Sequence, residues 1–377
     1  MSAIDPVLQP TARPAPSSSG AVEVLSAVGV AFLVYQSIGW IGWIADGPVQ
    51  LTKYRDTASL SWKICKLYEC LAVITAIAVA RVVVRECVRE RQLTFDALFC
   101  LACFTLFWQD PMANFFQPLF LWSQNWINLN DWMGYLPWSP NPDAGRSAEP
   151  ILNDGLNYLV AWLAFAMVLN RAMQAWEARH PGGSRGTLVA IAFALGAVTD
   201  ILLEAPMYWF DTWQFPGSPD VGFWADTGHK FPAYEFVSGA IMFSLVASIR
   251  YFRDANGLRF PERGLERYPR RMRKTLTFLA MAGLFNTVYL ADNAVYMFLG
   301  THSGTYKPMP AHIVGGTCDA PGITGTRYGP CPGSEGYRMP LRGSLPGTPP
   351  GGEPRWLNGP TQCETCAPVV VDPTVAR

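Results

Sequence analysis

The sequence is poor in histidine and in charge. Only 4 of its 377 residues are His, and 15% are Asp, Glu, Lys or Arg. Four histidines are too few for the clustered histidine boxes of a membrane di-iron desaturase, and no pair has HExxH spacing. The chain also lacks a P-loop, a GxGxxG after a strand and a GxSxG nucleophile elbow. The remaining functions are cofactor-free acid/base chemistry, or binding and transport, and neither a cofactor nor a metal is expected.

Long apolar runs are abundant. Half of the residues are hydrophobic and 14 are Trp, and several runs approach the roughly 20 residues that cross a bilayer. This composition predicts an all-α, polytopic transmembrane bundle of about seven spans, with membrane lipids as partners and no nucleic acid. The predicted spans are Ala21–Ala45, Ile64–Arg85, Leu93–Trp108, Leu156–Met173, Thr187–Phe210, Tyr234–Tyr251 and Thr275–Leu299.

The charges are unevenly distributed along the chain. Arg and Lys are concentrated between Arg250 and Lys274. The positive-inside rule places that segment and the N-terminus in the cytoplasm, and the C-terminus outside, with the plasma membrane as the expected location. The segment could instead bind anionic lipid or a partner. In the predicted topology the poorly basic loops 107–150 and 211–233 meet on the outer side.

Two regions flank the predicted transmembrane domain of residues 21–300. Residues 1–20 are rich in Pro, Ser and Ala and are predicted to be a disordered tail. Residues 301–377 form a Pro/Gly/Cys-rich tail, expected to be dispensable for folding. The tail carries Cys318, Cys331, Cys363 and Cys366, which allow three disulfide pairings. Disulfides are favoured over a metal site because no nearby His completes a zinc pattern.

The segment Phe107–Asp131 combines aromatic residues with carboxylates and amides. Such polar groups are costly to bury without partners, which favours a pocket lining over a simple interfacial aromatic belt. Pro111 biases Asp110 away from helical geometry, so this carboxylate is predicted at the mouth of the pocket. The binding candidates in this segment are Trp108, Asn114, Asn125, Trp126, Asn128 and Asp131.

A second group of acids lies in the fifth predicted span and at its exit. Asp200, Glu204, Tyr208 and Asp211 fall on one stripe of a helix at 100° per residue. Two carboxyls one turn apart in a dry site cannot both ionise comfortably, so a protonated acid would lie beside a carboxylate. The alternative is that these acids pair with Arg or Lys of neighbouring spans.

Three further residues are candidates for substrate contact, namely Trp209, His229 and Glu235. The seventh span carries a polar stripe that is more typical of hydrogen bonding between helices than of catalysis. Its members are Asn286, Tyr289, Asn293 and Tyr296.

Several motifs in combination resemble one family. These are FWQDPMANFFQPLF, NWINLNDW, DILLEAPMYWFDTWQFPG and HKFPAYEF followed by SIRYFRDANGLRFPERGLER. Over residues 22–299 the chain resembles the spirocyclase AveC family, actinobacterial membrane proteins that include the avermectin spirocyclase. The resemblance implies an enzyme of secondary metabolism that closes a lipophilic, polyketide-like dihydroxy-ketone to a spiroketal and can dehydrate the product. The competing hypothesis is a non-enzymatic lipid-binding or transport protein.

The residue roles come from this sequence rather than from the family. Glu204 is the predicted general acid, and Asp110 or Asp211 the base or cation stabiliser, with Asp200 in the same catalytic group. Asn114 and Tyr208 are expected to orient the substrate oxygens.

Overall fold

The computed structural model describes residues 20–140, 147–301, 306–319, 323–324, 330–335, 337 and 370–371. In this part of the chain, six helices are long and apolar enough to cross a membrane. The helices are α1 (Gly20–Asp46), α2 (Leu60–Glu90), α3 (Phe95–Phe104), α4 (Ile151–Leu156), α5 (Trp162–Arg179), α6 (Arg185–Trp209), α7 (Ala233–Tyr251), α8 (Arg270–Thr301) and α9 (Ala311–Val314). Helices α4 and α5 are joined by the π-helical turn Asn157–Ala161 and form one span.

The prediction of an all-α transmembrane bundle is confirmed. The third predicted span differs from the others, because its helix α3 has only 10 residues, about 15 Å, and cannot cross a hydrocarbon core of about 30 Å alone. The 3₁₀ helix Phe107–Asn114 continues its path. The six long helices and this shorter third segment are together consistent with the predicted number of about seven spans.

Helix α1 packs along α8 at glycine contacts. A Cβ atom at Gly283 would lie 2.0 Å from the carbonyl oxygen of Leu25, and one at Gly29 would lie 2.1 Å from that of Leu279. Ser26 Oγ also donates to the carbonyl oxygen of Leu276 at 3.0 Å. Glycine is required here because any side chain would separate the two backbones.

A polar hub joins α8 to the third pass. Asn286 is fully buried, and its Oδ1 accepts hydrogen bonds from Trp108 Nε1 at 2.7 Å and Gln109 Nε2 at 2.8 Å. Its Nδ2 donates to Thr105 Oγ1 at 2.9 Å. The amide therefore satisfies polar groups that would be costly to leave unpaired inside the bundle.

Loops cover the end of the bundle where α1 ends and α2 begins. We call the described parts of residues 47–59, 107–150 and 210–232 the cap. Its short antiparallel pairs are β1 (Leu121–Trp122) with β4 (Trp213–Gln214), β2 (Leu129–Asn130) with β3 (Ala148–Glu149), and β5 (Gly222–Phe223) with β6 (Phe231–Pro232). The pairing of β1 with β4 confirms that the two predicted outer loops converge.

Part of the predicted C-terminal tail packs on the cap. The buried side chains of Met309, Ile313 and Val314 cluster with Leu121, and the backbone N–H of Gln124 donates to the carbonyl oxygen of His312 at 2.7 Å. A disulfide joins Cys318 to Cys331, which is one of the pairings left open by the sequence. Strands β7 (Ile323–Thr324) and β8 (Val370–Val371) pair with each other. Cys363, Cys366 and residues 1–19 lie outside the described residues.

The opposite end of the bundle is basic. Arg250, at the end of α7, donates to both carboxylate oxygens of Asp96 at 3.0 and 2.8 Å and to Asn170 Oδ1 at 2.9 Å. Arg259 stacks over the ring of Phe95 at 4.1 Å. The basic segment thus holds the start of the third pass, and its cytoplasmic location stays a prediction.

Candidate active site

A cavity of about 480 Å³ lies inside the bundle beneath the cap. Helices α2, α4 to α8 and the 3₁₀ helix contribute to its wall, which is mainly apolar and aromatic. Five carboxyl groups also line it, and none of the described lining residues is Lys, Arg or His. The five acids are Asp110, Asp154, Asp200, Glu204 and Glu235.

One acidic group forms around Asp110, in the middle of the 3₁₀ helix. Pro111 has no N–H to continue α-helical bonding, which favours the tighter turn here. Asp110 accepts from Trp122 Nε1 and from Tyr158 Oη, both at 2.8 Å. The carboxyl groups of Glu149 and Asp154 lie next to that of Asp110: one carboxylate oxygen from each of the three acids lies within 4.8 Å of the other two. Burial raises the pKa of Asp110 and raises that of Glu149 well above its usual range, helped at Glu149 by the charge of Asp110.

The second acidic group lies on α6 and α7. The carboxyl groups of Glu204 and Glu235 lie within hydrogen-bonding reach of each other, so the two acids can share one proton. Asp200 is buried one turn before Glu204, against Gly239, where a Cβ atom would lie 2.1 Å from Asp200 Oδ1. A glycine at this point of α7 makes room for the carboxyl group of Asp200.

Phenols connect the first group to α8. Tyr158 lies in the π-helical turn, a feature often found at functional sites, and its hydroxyl is 2.5 Å from that of Tyr289. The hydroxyls of Tyr289 and Tyr158 and the carboxylate of Asp110 therefore form one continuous hydrogen-bonded chain. Tyr289, Asn293 and Tyr296 all line the cavity, so three members of the polar stripe face it and only Asn286 serves interhelical bonding alone.

The structure brings four predicted site residues together at the cavity: Asp110, Asp200, Glu204 and Glu235. The predicted stripe does not extend to Asp211. Helix α6 ends at Trp209, and Asp211 has a left-handed backbone with φ of 52°. Its carboxylate lies 3.2 Å from His229 Nδ1, outside the cavity lining. Asp211 is therefore not part of the cavity lining, because the helix stops before it, and its role as a base stays a prediction.

The residues next to Asp211 also point elsewhere. Tyr208 is fully buried, and its hydroxyl accepts the N–H of Phe215 at 2.6 Å. Trp209 is 42% exposed and packs against His229, with ring centroids 4.9 Å apart. Tyr208, Trp209 and His229 therefore support the cap rather than line the cavity.

Most binding candidates from the segment Phe107–Asp131 stabilise the fold as well. Trp108 belongs to the Asn286 hub. The side chain of Asn114 makes two hydrogen bonds to the backbone of Phe120, at 2.6 and 2.9 Å. Neither belongs to the cavity lining, and the prediction that Asn114 contacts substrate stays a prediction.

The amides and the acid farther along that segment bond to backbone in the cap. Asn125 accepts from the N–H of Asp56 at 2.9 Å, Asn128 accepts from the N–H of Leu51 at 3.0 Å, and Asp131 accepts from the N–H of Met133 at 2.8 Å. Trp126 Nε1 donates to the carbonyl oxygen of Thr212 at 2.8 Å. Strands of two residues pair few backbone N–H and C=O groups with each other, so side chains supply hydrogen bonds to the remaining backbone groups of the cap. These four residues stabilise the cap and do not belong to the cavity lining, and their contact with substrate stays a prediction.

Sequence reasoning missed Glu149, Asp154 and Tyr158. The predicted fourth span began at Leu156 because the preceding polar residues looked like loop, whereas helix α4 begins at Ile151. A signal was present, since Asp154 and Tyr158 are four residues apart and share a helical face.

Comparison with curated proteins and with solved structures gives no match. The family model described as "Spirocyclase AveC-like" matches residues 90–312, more than half of the chain. The match begins at the end of α2, contains all five acids that line the cavity, and extends past α8 into the region predicted as a tail. The chain therefore belongs to the spirocyclase AveC-like family.

Proposed function

We propose that this protein is a membrane cyclase that closes a lipophilic dihydroxy-ketone to a spiroketal by acid/base catalysis in the cavity. The observation that carries the proposal is the adjacent pair of Glu204 and Glu235 in the wall of a largely apolar cavity whose described lining contains no basic residue. Family membership supports the same reaction class.

The reaction has two proton transfers that one carboxyl pair can perform. The first hydroxyl of the substrate adds to the ketone and gives a hemiketal. The proton shared by Glu204 and Glu235 then passes to the hemiketal oxygen, which leaves as water and creates an oxocarbenium ion. The second hydroxyl attacks that carbon, and the carboxylate formed in the first transfer takes its proton. The balance is the loss of one water, with no redox change.

The rest of the wall suits the positive intermediate. The carboxylate of Asp110 supplies negative charge, and its position is fixed by Trp122 and Tyr158. The faces of Trp122 and Trp213 line the same cavity and attract a cation. In this assignment Asp110 is the cation stabiliser, and Tyr289 and Asn293 replace Tyr208 and Asn114 as groups that orient substrate oxygens.

The shape of the cavity supports a lipophilic substrate. Its volume of about 480 Å³ falls in the range of small-molecule pockets, about 300–1,000 Å³. Leu71, Val168 and Leu203 line the cavity and are 48%, 63% and 36% exposed, and we propose that the cavity opens between α2, α5 and α6 towards lipid. Such a lateral opening would admit a substrate from the bilayer. It equally favours a second candidate function, the binding or transport of a lipid without conversion.

The experiment uses purified protein in nanodiscs and a panel of alkyl-substituted δ,δ′-dihydroxy ketones. A cyclase should produce one stereoisomer of the spiroketal faster than the spontaneous reaction, as measured by chiral chromatography. Binding of the panel with only the spontaneous, racemic product would refute the cyclase and favour the lipid-binding function. A neighbouring polyketide synthase gene cluster would support a polyketide substrate.

The location of the protein belongs to the same proposal. We place the N-terminus and the basic segment in the cytoplasm, and the cap outside the plasma membrane. The disulfide between Cys318 and Cys331 at the cap supports this orientation, because disulfides persist in oxidising compartments.

A further inference from the structure

The three carboxyl groups of Asp110, Glu149 and Asp154 meet where the cap joins α4. They come from the 3₁₀ helix, from β3 and from α4, and one oxygen from each lies within 4.8 Å of the others. Asp110 and Asp154 line the cavity, whereas Glu149 lies behind the wall. The arrangement is therefore buried on one side and open to the cavity on the other.

Glu149 is the unusual member of this group. It is 0% exposed, and neither of its carboxylate oxygens accepts a hydrogen bond from an N–H or hydroxyl group; its carboxyl group faces that of Asp110 instead. Asp154 Oδ2 also lacks a donor, and no ion pair in the described part of the chain involves any of the three acids. A buried carboxylate without donors is very costly unless something positive neutralises it.

One oxygen from each of the three acids lies within 4.8 Å of the others, close to the spacing that the ligands of one metal ion require. Hard cations such as Mg²⁺ and Mn²⁺ prefer carboxylate oxygens at about 2.0–2.2 Å, which places oxygens on opposite sides of the ion about 4.2 Å apart. Trp122 and Tyr158 donate to Asp110, and Asn153 Nδ2 donates to Asp154 Oδ1 at 3.0 Å. Hydrogen bonds of this kind orient metal ligands. The scarcity of histidine excludes a histidine-rich redox centre but not a site made only of carboxylates.

We propose that Asp110, Glu149 and Asp154 bind one Mg²⁺ or Mn²⁺ ion in the cavity wall. The three carboxylates carry one more negative charge than the ion carries positive charge. The site therefore keeps a net negative charge, which stabilises an oxocarbenium ion. The remaining coordination positions face the cavity. Resting on the proposed function, the ion would accept the ketone oxygen of the substrate as a ligand and activate the carbonyl for attack by the first hydroxyl.

Binding is tested with Mn²⁺ as the probe. Full-length protein in nanodiscs is stripped with EDTA and titrated with Mn²⁺, and free Mn²⁺ is measured by electron paramagnetic resonance. We expect one site that Mg²⁺ competes for. Glu149→Gln keeps the side-chain shape and should weaken binding at least 10-fold, whereas the control Asp200→Asn, which also lines the cavity, should retain the affinity of the wild type.

Two results would overturn the proposal. The first is wild-type protein that binds no Mn²⁺, which decides the question even if the variant fails to fold. The second is equal affinity in wild type and Glu149→Gln protein of normal size-exclusion profile. Turnover is followed on the same samples, both after EDTA treatment and after Mn²⁺ has been restored. Cyclisation without Mn²⁺ binding refutes the ion and leaves the cyclase, and Mn²⁺ binding without cyclisation refutes the cyclase and leaves the ion.

Discussion

A proton shared by Glu204 and Glu235 would make the two acids act as one catalytic unit. Glu204→Gln and Glu235→Gln each leave a partner carboxylate that receives an amide N–H instead of sharing a proton. Neither variant then holds a proton to give to the hemiketal oxygen. Each substitution should therefore lower kcat by a similar amount, about 100 to 10,000-fold, the usual contribution of general acid catalysis, or about 3–5 kcal/mol in the barrier.

The double variant distinguishes a shared proton from two independent groups. If one proton serves both acids, Glu204→Gln/Glu235→Gln should be no slower than the slower single variant, because the unit is already lost after one substitution. If the two acids acted independently, the fold-decreases in kcat of the two single variants would multiply in the double variant.

The assay measures kcat for stereochemically uniform spiroketal from an alkyl-substituted δ,δ′-dihydroxy ketone in nanodiscs, with the spontaneous rate subtracted. Asp211→Asn is the matched control, since this acid lies outside the cavity lining, and it should keep near-normal turnover. Multiplicative loss in the double variant, or near-normal turnover in both single variants, would contradict the shared-proton reasoning.

Three further predictions concern stability and topology. Asn286→Leu should lower the free energy of unfolding in SDS titrations by roughly 2–4 kcal/mol, because two buried donors lose their acceptor; stability equal to that of wild type would contradict the hub. Burial lowers the pKa of His312 to about 4. Below a pH of about 6.5, the imidazole of His312 is therefore protonated in the unfolded chain but stays neutral in the folded chain. The free energy of unfolding should fall as the pH drops from 6.5 to 4. His312→Gln should flatten that part of the thermal stability profile, and an unchanged slope would refute the assignment. In cells, Cys at the exposed position Trp138 should react with an impermeant thiol reagent, while Cys at Ala255 should react only after lysis; the reverse pattern would invert the orientation.

Hydropathy was sufficient to predict the bundle, because long apolar helices carry their signal locally. The third pass was harder to predict, since α3 is short and Pro111 changes the helix type beyond it. Helix periodicity correctly placed Asp200 and Glu204 together, but it was extended past the real end of α6, which misplaced Asp211.

The cap shows the limit of local reasoning more clearly. Asn125 and Asn128 bond to backbone near residue 50, about 70 residues away along the chain, and no periodic pattern reports such contacts. Glu149 meets Asp110 only after the cap has folded over α4. The sequence therefore shows that polar residues in an apolar segment are unusual. It does not show which of them line a cavity and which bond to backbone groups that the short strands leave unpaired.

The close packing of α1 on α8 has a consequence for biosynthesis. Helix α1 leaves the ribosome before α8, and the backbone contact at Gly29 is completed only when residues near Gly283 have been made. At about 5–20 residues per second, that interval is roughly 10 to 50 s. During this time the glycine face of α1 lies against lipid or against the insertion machinery. A nascent chain that stalls before residue 270 would hold an inserted α1 without its tightest neighbour, and such a chain should be a preferred substrate for membrane quality-control proteases.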